Sequence, residues 1–333
     1  VSKYVMNPGR IFETMLNVKT ALTCENSAAP EAKAKTKTQN LIIESILEEQ
    51  IRRTCSVKFG ENATRIKSPF AWDDLIISKE SEELLRMTCD RVRHRATVNE
   101  GFGFSKKLPY GRGVAIVLYG PPGTGKTMAA QVLANELGLD IYRIDLSQIS
   151  SKYIGETEKN LGAVFDAAKN SNAILFFDEA DSLFSKRTEV SSSNDRYANA
   201  ETSYLLQKIE EYSGVSVLAT NNMQNFDAAF KRRMTYLIPV EAPDEATRVR
   251  LWENVFPEGA PLDKSVDLRI LARVAKFSGS SIKAAAVTAA YLAARENRDI
   301  NYDDLIRAID IEGVKSGTLG LGSILTEAVA IGE

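Results

Sequence analysis

The sequence predicts an α/β fold, a doubly wound parallel sheet of five strands followed by a small helical domain. Between residues 114 and 240, short apolar runs rich in β-branched and aromatic residues alternate with amphipathic helical patterns. Continuous apolar strands separated by helices indicate a parallel sheet covered by helices on both faces. Beyond Pro243 the strand signals cease and only helical patterns follow. The predicted strands are Val114–Tyr119, Ile141–Ile144, Ala173–Phe177, Val215–Ala219 and Tyr236–Val240.

The chain is predicted to divide into four parts. Residues 1–69 form an N-terminal segment of helix and linker, in which apolar residues recur at helical spacing from Leu41 to Thr54. Residues 70–242 form the α/β domain, 243–312 the helical domain and 313–333 a tail. The predicted helices after the N-terminal segment are Glu82–Val98, Met128–Leu137, Thr157–Lys169, Glu245–Val255, Leu268–Lys276, Ser281–Glu296 and Tyr302–Ile309.

Composition excludes several functional classes. The 333 residues include 42 Lys and Arg and 44 Asp and Glu, a net charge of −2, which argues against a protein built to coat nucleic acid or anionic membrane. A single histidine excludes an HExxH zinc site, and the three widely spaced cysteines fit neither a zinc knuckle nor a redox pair. We expect no membrane span, no secretory leader and a cytoplasmic location.

A glycine-rich segment between a predicted strand and a predicted helix is the strongest signal in the sequence. Its glycines let backbone N–H groups approach phosphate oxygens, and the following helix adds its dipole. Lys126 supplies a positive charge for the β- and γ-phosphates, and the Thr127 hydroxyl is a ligand for Mg²⁺. The residues predicted to bind the nucleotide are Gly120, Pro121, Pro122, Gly123, Thr124, Gly125, Lys126, Thr127 and Met128.

Two carboxylates follow the predicted strand that ends at Phe177. In a doubly wound sheet, ligands bind at the carboxyl ends of the strands, so both acids would emerge beside the phosphates. Asp178 suits a ligand of Mg²⁺, acting through water, and Glu179 suits the base that polarises the attacking water.

The sequence resembles the AAA+ ATPases, and within them the AAA proteins proper, in three segments. These are the glycine-rich segment Gly120–Thr127, here called the phosphate loop, the segment Phe176–Asp181 and the strand end Ala219–Asn221. The resemblance runs from about Phe70 to about Ala308. It implies a P-loop NTPase sheet with Walker A and Walker B motifs, a small helical lid, ATP and Mg²⁺ as cofactors, and a ring, usually a hexamer. Further segments resemble the bacterial AAA ATPases associated with contractile injection systems: Lys126–Ala130, Ser151–Lys159 and Asp195–Asn199.

The resemblance also assigns roles outside the two motifs. Asn221 matches the first sensor, a polar side chain that holds the hydrolytic water or the γ-phosphate. Arg232 and Arg233 match the place of the arginine finger, which supplies a permanent cation to a neighbouring subunit. Gly279 matches the region of the second sensor, where the backbone approaches the nucleotide. The stretch 101–103 is expected near the base.

The segment after the second predicted strand resembles the first pore loop of remodelling AAA ATPases, in which an aromatic side chain grips an extended polypeptide. Its residues are Lys152, Tyr153 and Ile154. An aromatic ring makes a large contact at low entropic cost, which suits a grip that tolerates many sequences.

The sequence therefore predicts an ATPase that threads or disassembles protein substrates, as a homo-oligomer with active sites shared between subunits. Two alternatives stay open, a loader or switch that acts on nucleic acid and an assembly module that binds ATP without threading. The pore-like segment and the lack of a basic tract favour a protein partner over a nucleic acid.

Overall fold

The computed structural model describes residues 63–107, 113–146, 156–169, 173–181, 193–315, 317–318 and 320–331. In the described part of the chain, no helix is both long enough and apolar enough to cross a bilayer.

The described strands are β1 Ala63–Ile66, β2 Val114–Tyr119, β3 Ile141–Ile144, β4 Ile174–Phe177, β5 Val215–Thr220 and β6 Tyr236–Pro239. They form a six-stranded sheet with the order β1-β3-β4-β5-β2-β6. Strands β2 to β6 are parallel, which confirms the predicted α/β class and its five parallel strands. The structure adds an edge strand, β1, that pairs antiparallel with β3.

The first boundary of the predicted domains differs from the structure because β1 falls within the segment 1–69. This strand lacks a continuous apolar run, and its two central residues, Thr64 and Arg65, are exposed. An edge strand of four residues, two of them exposed, leaves little hydrophobic pattern to read. The α/β domain therefore begins at least as early as Ala63.

Helices cover the sheet on both faces. The described residues of the α/β domain include five α-helices: α1 Lys79–Arg93, α2 Lys126–Leu137, α3 Glu156–Lys169, α4 Ser193–Glu211 and α5 Ala228–Lys231. One core joins α1 and α2 to the strands through residues such as Ile116 and Phe176. A second core joins α3 and α4 to the other face through Val117 and Phe177. Successive strand residues thus enter opposite cores, as the period of a strand requires.

The lid is a separate helical unit with its own core around Trp252 and Leu305. Its helices are α6 Glu245–Val255, α7 Leu268–Val274, α8 Gly279–Arg295, α9 Tyr302–Lys315 and α10 Leu321–Ile331. The predicted tail from residue 313 is not a tail in the structure, because α10 buries Leu321 and Leu325 in this core. The lid therefore extends to the end of the described chain.

A buried carboxylate fixes the start of α9. Asp304 is almost fully buried, accepts two hydrogen bonds from the guanidinium of Arg298, one at 2.9 Å, and accepts one from the backbone N–H of Asn301. The Asn301 side chain accepts from the Asp304 backbone N–H in return, which makes a reciprocal cap. The hydrogen bonds from Arg298, opposed by burial and helped by Asn301, hold the pKa of Asp304 below its usual value.

We expect Asp304→Asn to lower the free energy of unfolding by about 1.5–3 kcal/mol at pH 7, because it breaks a charged hydrogen-bonded pair. A carboxylate with a lowered folded-state pKa stabilises fully above its ordinary pKa of 3.8, and the effect is lost as the pH falls through the folded-state pKa. Urea unfolding at pH 7 and pH 3 measures both values. The exposed neighbour Asp299, changed to Asn, is the control, and an equal loss at both pH values would contradict the assignment.

Candidate functional site

The phosphate loop connects β2 to α2. Gly125 caps α2 with a left-handed φ of +106°, a conformation that side chains rarely adopt. At Gly120 a Cβ atom would lie 2.1 Å from the carbonyl oxygen of Val240, directly after β6. These two positions require glycine, so the backbone can turn and leave its N–H groups at the N-terminus of α2.

Lys126 lies inside the loop. Its Nζ atom donates hydrogen bonds to the carbonyl oxygens of Gly120 at 2.7 Å and Pro121 at 2.8 Å. Burial lowers the pKa of Lys126, while the charges of Asp178 and Asp181 raise it. The ammonium group has a third hydrogen to donate. The first turn of α2 therefore holds an ammonium group that has acids nearby and one N–H that can still donate.

The two predicted acids follow β4 directly. Asp178 is largely buried, with 22% of its side chain exposed, and its Oδ1 atom accepts a hydrogen bond from the backbone N–H of Glu179. Glu179 is exposed and has a φ of +50°, one of two positive values at non-glycine residues in the described chain. Such a conformation costs on the order of 1 kcal/mol and turns the chain sharply after the strand.

Asn221, the predicted first sensor, lies at the end of a strand that adjoins the phosphate loop. It directly follows β5, and Thr220 pairs in register with Tyr119, the last residue of β2. The backbone N–H of Gly120 donates to the carbonyl of Thr220 at 3.3 Å. Because β4, β5 and β2 are adjacent and parallel, their ends place the acids, Asn221 and the loop at one edge of the sheet.

Arg232 and Arg233 follow the short helix α5 and are both exposed. Arg233 pairs with Glu210 at 3.3 Å and donates to the carbonyl of Ala229. Within the described residues, Arg232 makes no side-chain ion pair, and neither arginine bonds to the phosphate loop of its own chain. The arrangement leaves Arg232 the freer of the two for a neighbouring molecule.

The lid touches the phosphate loop at the start of α8. The backbone N–H of Ser280 donates to the carbonyl of Gly123 at 3.1 Å, and an ideal Cβ on Gly279 would lie 3.6 Å from the same oxygen. Gly279 is thus close to the loop, and its predicted approach to the nucleotide stays a prediction. A Cβ on Gly123 would meet the Ser280 hydroxyl at 2.1 Å, so the lid packs directly on the loop.

A cavity of about 440 Å³ opens between the loop and the lid. Ile76 and Ile77, from the segment before α1, line one side, and Leu251 and Gly279 of the lid line another, with Thr124 of the loop. The stretch 101–103, expected near the base, is not part of this lining. In the sequence, these lining residues appear as the apolar pair Ile76 and Ile77, immediately before Ser78, which caps α1. Hydrophobic periodicity alone does not assign such a pair to a cavity.

The donor set fits a magnesium ion whose coordination shell is completed by a nucleotide. Mg²⁺ takes oxygen ligands, usually one or two from protein together with phosphates and water. Thr127, on the first turn of α2, and Asp178 supply a hydroxyl and a carboxylate. The described residues contain no cluster of three or more ligating side chains that could hold a metal without such help. Asp181, not singled out from the sequence, adds an Oδ1 atom that is buried without a hydrogen-bond partner in the described structure.

The predicted pore-loop residues, Lys152, Tyr153 and Ile154, lie outside the described residues. Their assignment remains a prediction from the sequence.

Comparison with known proteins agrees with the geometry. Residues 116–242 match the model of the ATPase family associated with various cellular activities (AAA). A proteasome-activating nucleotidase of Saccharolobus solfataricus is 31% identical over 209 residues, covering 60% of this chain and 53% of the relative. One from Methanothermobacter thermautotrophicus is 35% identical over 210 residues, covering 60% and 51%. Spastin of Xenopus tropicalis is 35% identical over 215 residues, covering 58% and 35%. The chain thus spans about half the length of these relatives or less. Residues 116–242 thus match the ATPase domain of the AAA family.

Proposed function

We propose that the chain hydrolyses Mg·ATP and uses the energy to remodel proteins. The observation that carries this proposal is the meeting of the phosphate loop, the acids after β4 and Asn221 at the ends of adjacent parallel strands. Acidic, amide and cationic groups at one edge of a sheet are what phosphoryl transfer to water requires.

Each group has a distinct role in this proposal. Lys126 and the backbone N–H groups of the loop bind the phosphates, while Thr127 and Asp178 hold the magnesium ion. When bound, the ion neutralises charge on the phosphate oxygens. Glu179 accepts a proton from the attacking water, and Asn221 orients that water through its amide. Because these side chains project from strand ends and a helix start, they are positioned by a rigid scaffold.

The cavity between loop and lid is proposed to hold the nucleoside. Ile77 and Leu251 offer apolar contacts to a flat base, and Thr124 joins the cavity to the phosphate loop. Gly279 lines the same cavity, so the lid would contact the bound nucleotide. Closing of the lid on the base would then link nucleotide binding to movement of α8.

Arg232 is proposed to complete the active site of a neighbouring copy in a homo-oligomer, with a hexameric ring as the expected assembly. An exposed guanidinium without an ion pair in the described chain can bind a phosphate of another subunit, and it stays charged at all physiological pH values. Arg233, paired with Glu210, is the second candidate. We propose a cytoplasmic location for the assembly.

The proposed substrate is a polypeptide. Two of the relatives are named proteasome-activating nucleotidases, a name that couples nucleotide use to a protein complex. The predicted pore loop, with Tyr153 at its centre, supplies the grip for an extended chain. The net charge of −2 gives no support to a nucleic-acid partner.

We expect an unfolded polypeptide, such as a reduced and carboxymethylated protein, to raise the ATP hydrolysis rate, and single-stranded DNA to have no effect. Tyr153→Ala should lose this stimulation, because alanine cannot make the ring contact, whereas the control Tyr153→Phe should keep it. Steady-state phosphate release measures both. Stimulation by DNA alone would favour the loader, and stimulation of Tyr153→Ala equal to that of the unchanged protein would remove Tyr153 from the grip.

A further inference from the structure

Asp178 is already bound to a cation of its own chain. The Nη2 atom of Arg143, on β3, lies 3.1 Å from Oδ2 of Asp178. The other carboxylate oxygen, Oδ1, accepts the backbone N–H of Glu179. Both oxygens of the proposed magnesium ligand therefore have partners within the chain.

The strand register explains why Arg143 reaches this acid. Arg143 pairs with Phe176 on the neighbouring parallel strand β4, and Asp178 follows Phe176 by two residues. Side chains two apart on a strand share a face, so the guanidinium and the carboxylate lie on one face of the sheet. Phe176 packs in the core that also contains α2, the helix that carries Lys126 and Thr127. Arg143 thus lies on the face where the magnesium ion would bind.

Two cations cannot use one carboxylate independently. A guanidinium in a protein does not lose its proton, so Arg143 keeps its charge whether or not the metal is present. Its charge would repel a divalent ion held by the same carboxylate, so the Arg143–Asp178 ion pair and the metal compete for Asp178. With 51% of the Arg143 side chain exposed, the guanidinium has solvent into which it can move.

We infer that Arg143 is a positioning residue that occupies Asp178 while no metal and nucleotide are bound, and that it lowers the affinity of the site for Mg²⁺. This inference rests on the proposed function. Its consequence is that nucleotide binding depends on the free Mg²⁺ concentration, because the ion must displace Arg143 from Asp178.

The test is a Mg²⁺ titration of nucleotide binding, which does not depend on turnover. Binding of a fluorescent ADP at fixed concentration is followed while free Mg²⁺ is raised, for the full chain and for Arg143→Gln. The concentration at half-maximal binding is expected to fall about two- to fivefold in Arg143→Gln, the range of a partly exposed ion pair. In EDTA, the affinity of Arg143→Gln for the fluorescent ADP should not exceed that of the unchanged chain, because Arg143 competes with the metal and not with the nucleotide.

Arg65→Gln is the matched control. Arg65, on β1, forms a comparable pair at 2.7 Å with Asp140, the residue before β3, and 60% of the Arg65 side chain is exposed. Arg65→Gln should leave the Mg²⁺ midpoint, the free Mg²⁺ concentration at half-maximal ADP binding, unchanged. Arg143→Met, which keeps the apolar stem, should shift the midpoint as Arg143→Gln does and replaces it if the glutamine variant does not fold.

The outcomes separate this inference from the proposed function. If the unchanged chain binds ADP with Mg²⁺ and the Arg143 variants have the same or a higher midpoint, the inference is overturned and the proposed function stands. If the unchanged chain binds no nucleotide at any Mg²⁺ concentration, both are overturned.

Discussion

Glu179→Gln is expected to reduce the ATP turnover rate by about 10²–10⁴-fold while ATP still binds, because glutamine cannot accept the proton of the attacking water. Glutamine keeps the length of the side chain and places no new demand on the left-handed backbone at this position. Single-turnover phosphate release measures the rate, and fluorescent ATP binding measures the affinity. The exposed α6 glutamate Glu253, changed to Gln, is the control.

Glu179→Gln is also expected to stabilise the oligomer in its ATP-bound state. With ATP bound and not hydrolysed, light scattering should show a shift from the chain mass of 36.7 kDa toward a particle about six times larger. A rate within tenfold of the unchanged protein would remove Glu179 from the role of base. A monomer with and without Mg·ATP would argue against a site completed by Arg232 of another copy.

Lys126→Ala is expected to weaken ATP binding by about ten- to a hundredfold, the loss of one or more charged hydrogen bonds to phosphate. Alanine also frees the carbonyl oxygens of Gly120 and Pro121, which the ammonium now holds. Isothermal titration with ATP and Mg²⁺ measures the affinity.

Lys169→Ala is the control for this measurement, because it removes an exposed lysine whose partner, Asp166, lies on the same helix. A Lys126→Ala variant that is folded by circular dichroism and binds ATP as tightly as the unchanged protein would show that the loop does not receive the phosphates.

The parallel strands could be predicted almost to the residue because each is a continuous apolar run. β2 and β3 have the predicted bounds, and β5 extends only one residue further, to Thr220. β1 was missed because its two central residues, Thr64 and Arg65, are polar and exposed, so the strand has no continuous apolar run. α10 was missed as part of the lid because its core residues, Leu321 and Leu325, follow a glycine-containing connection that resembles a tail.

The candidate site could be predicted where a motif lies on one stretch of chain, as in the loop and the acids after β4. Its other parts depend on segments that are distant in sequence. Ile77 reaches the cavity because the segment before α1 packs near the lid, and Arg143 reaches Asp178 through strand register. Neither neighbour can be read from spacing, since register and interdomain packing are properties of the folded chain.

β4 is held by both cores of the α/β domain. All four of its side chains are fully buried, with Ile174 and Phe176 in one core and Leu175 and Phe177 in the other. Asp178 is therefore attached to a strand whose rotamers and backbone lost their conformational entropy when the chain folded. Little of that ordering cost therefore remains to be met at Asp178 when a nucleotide binds.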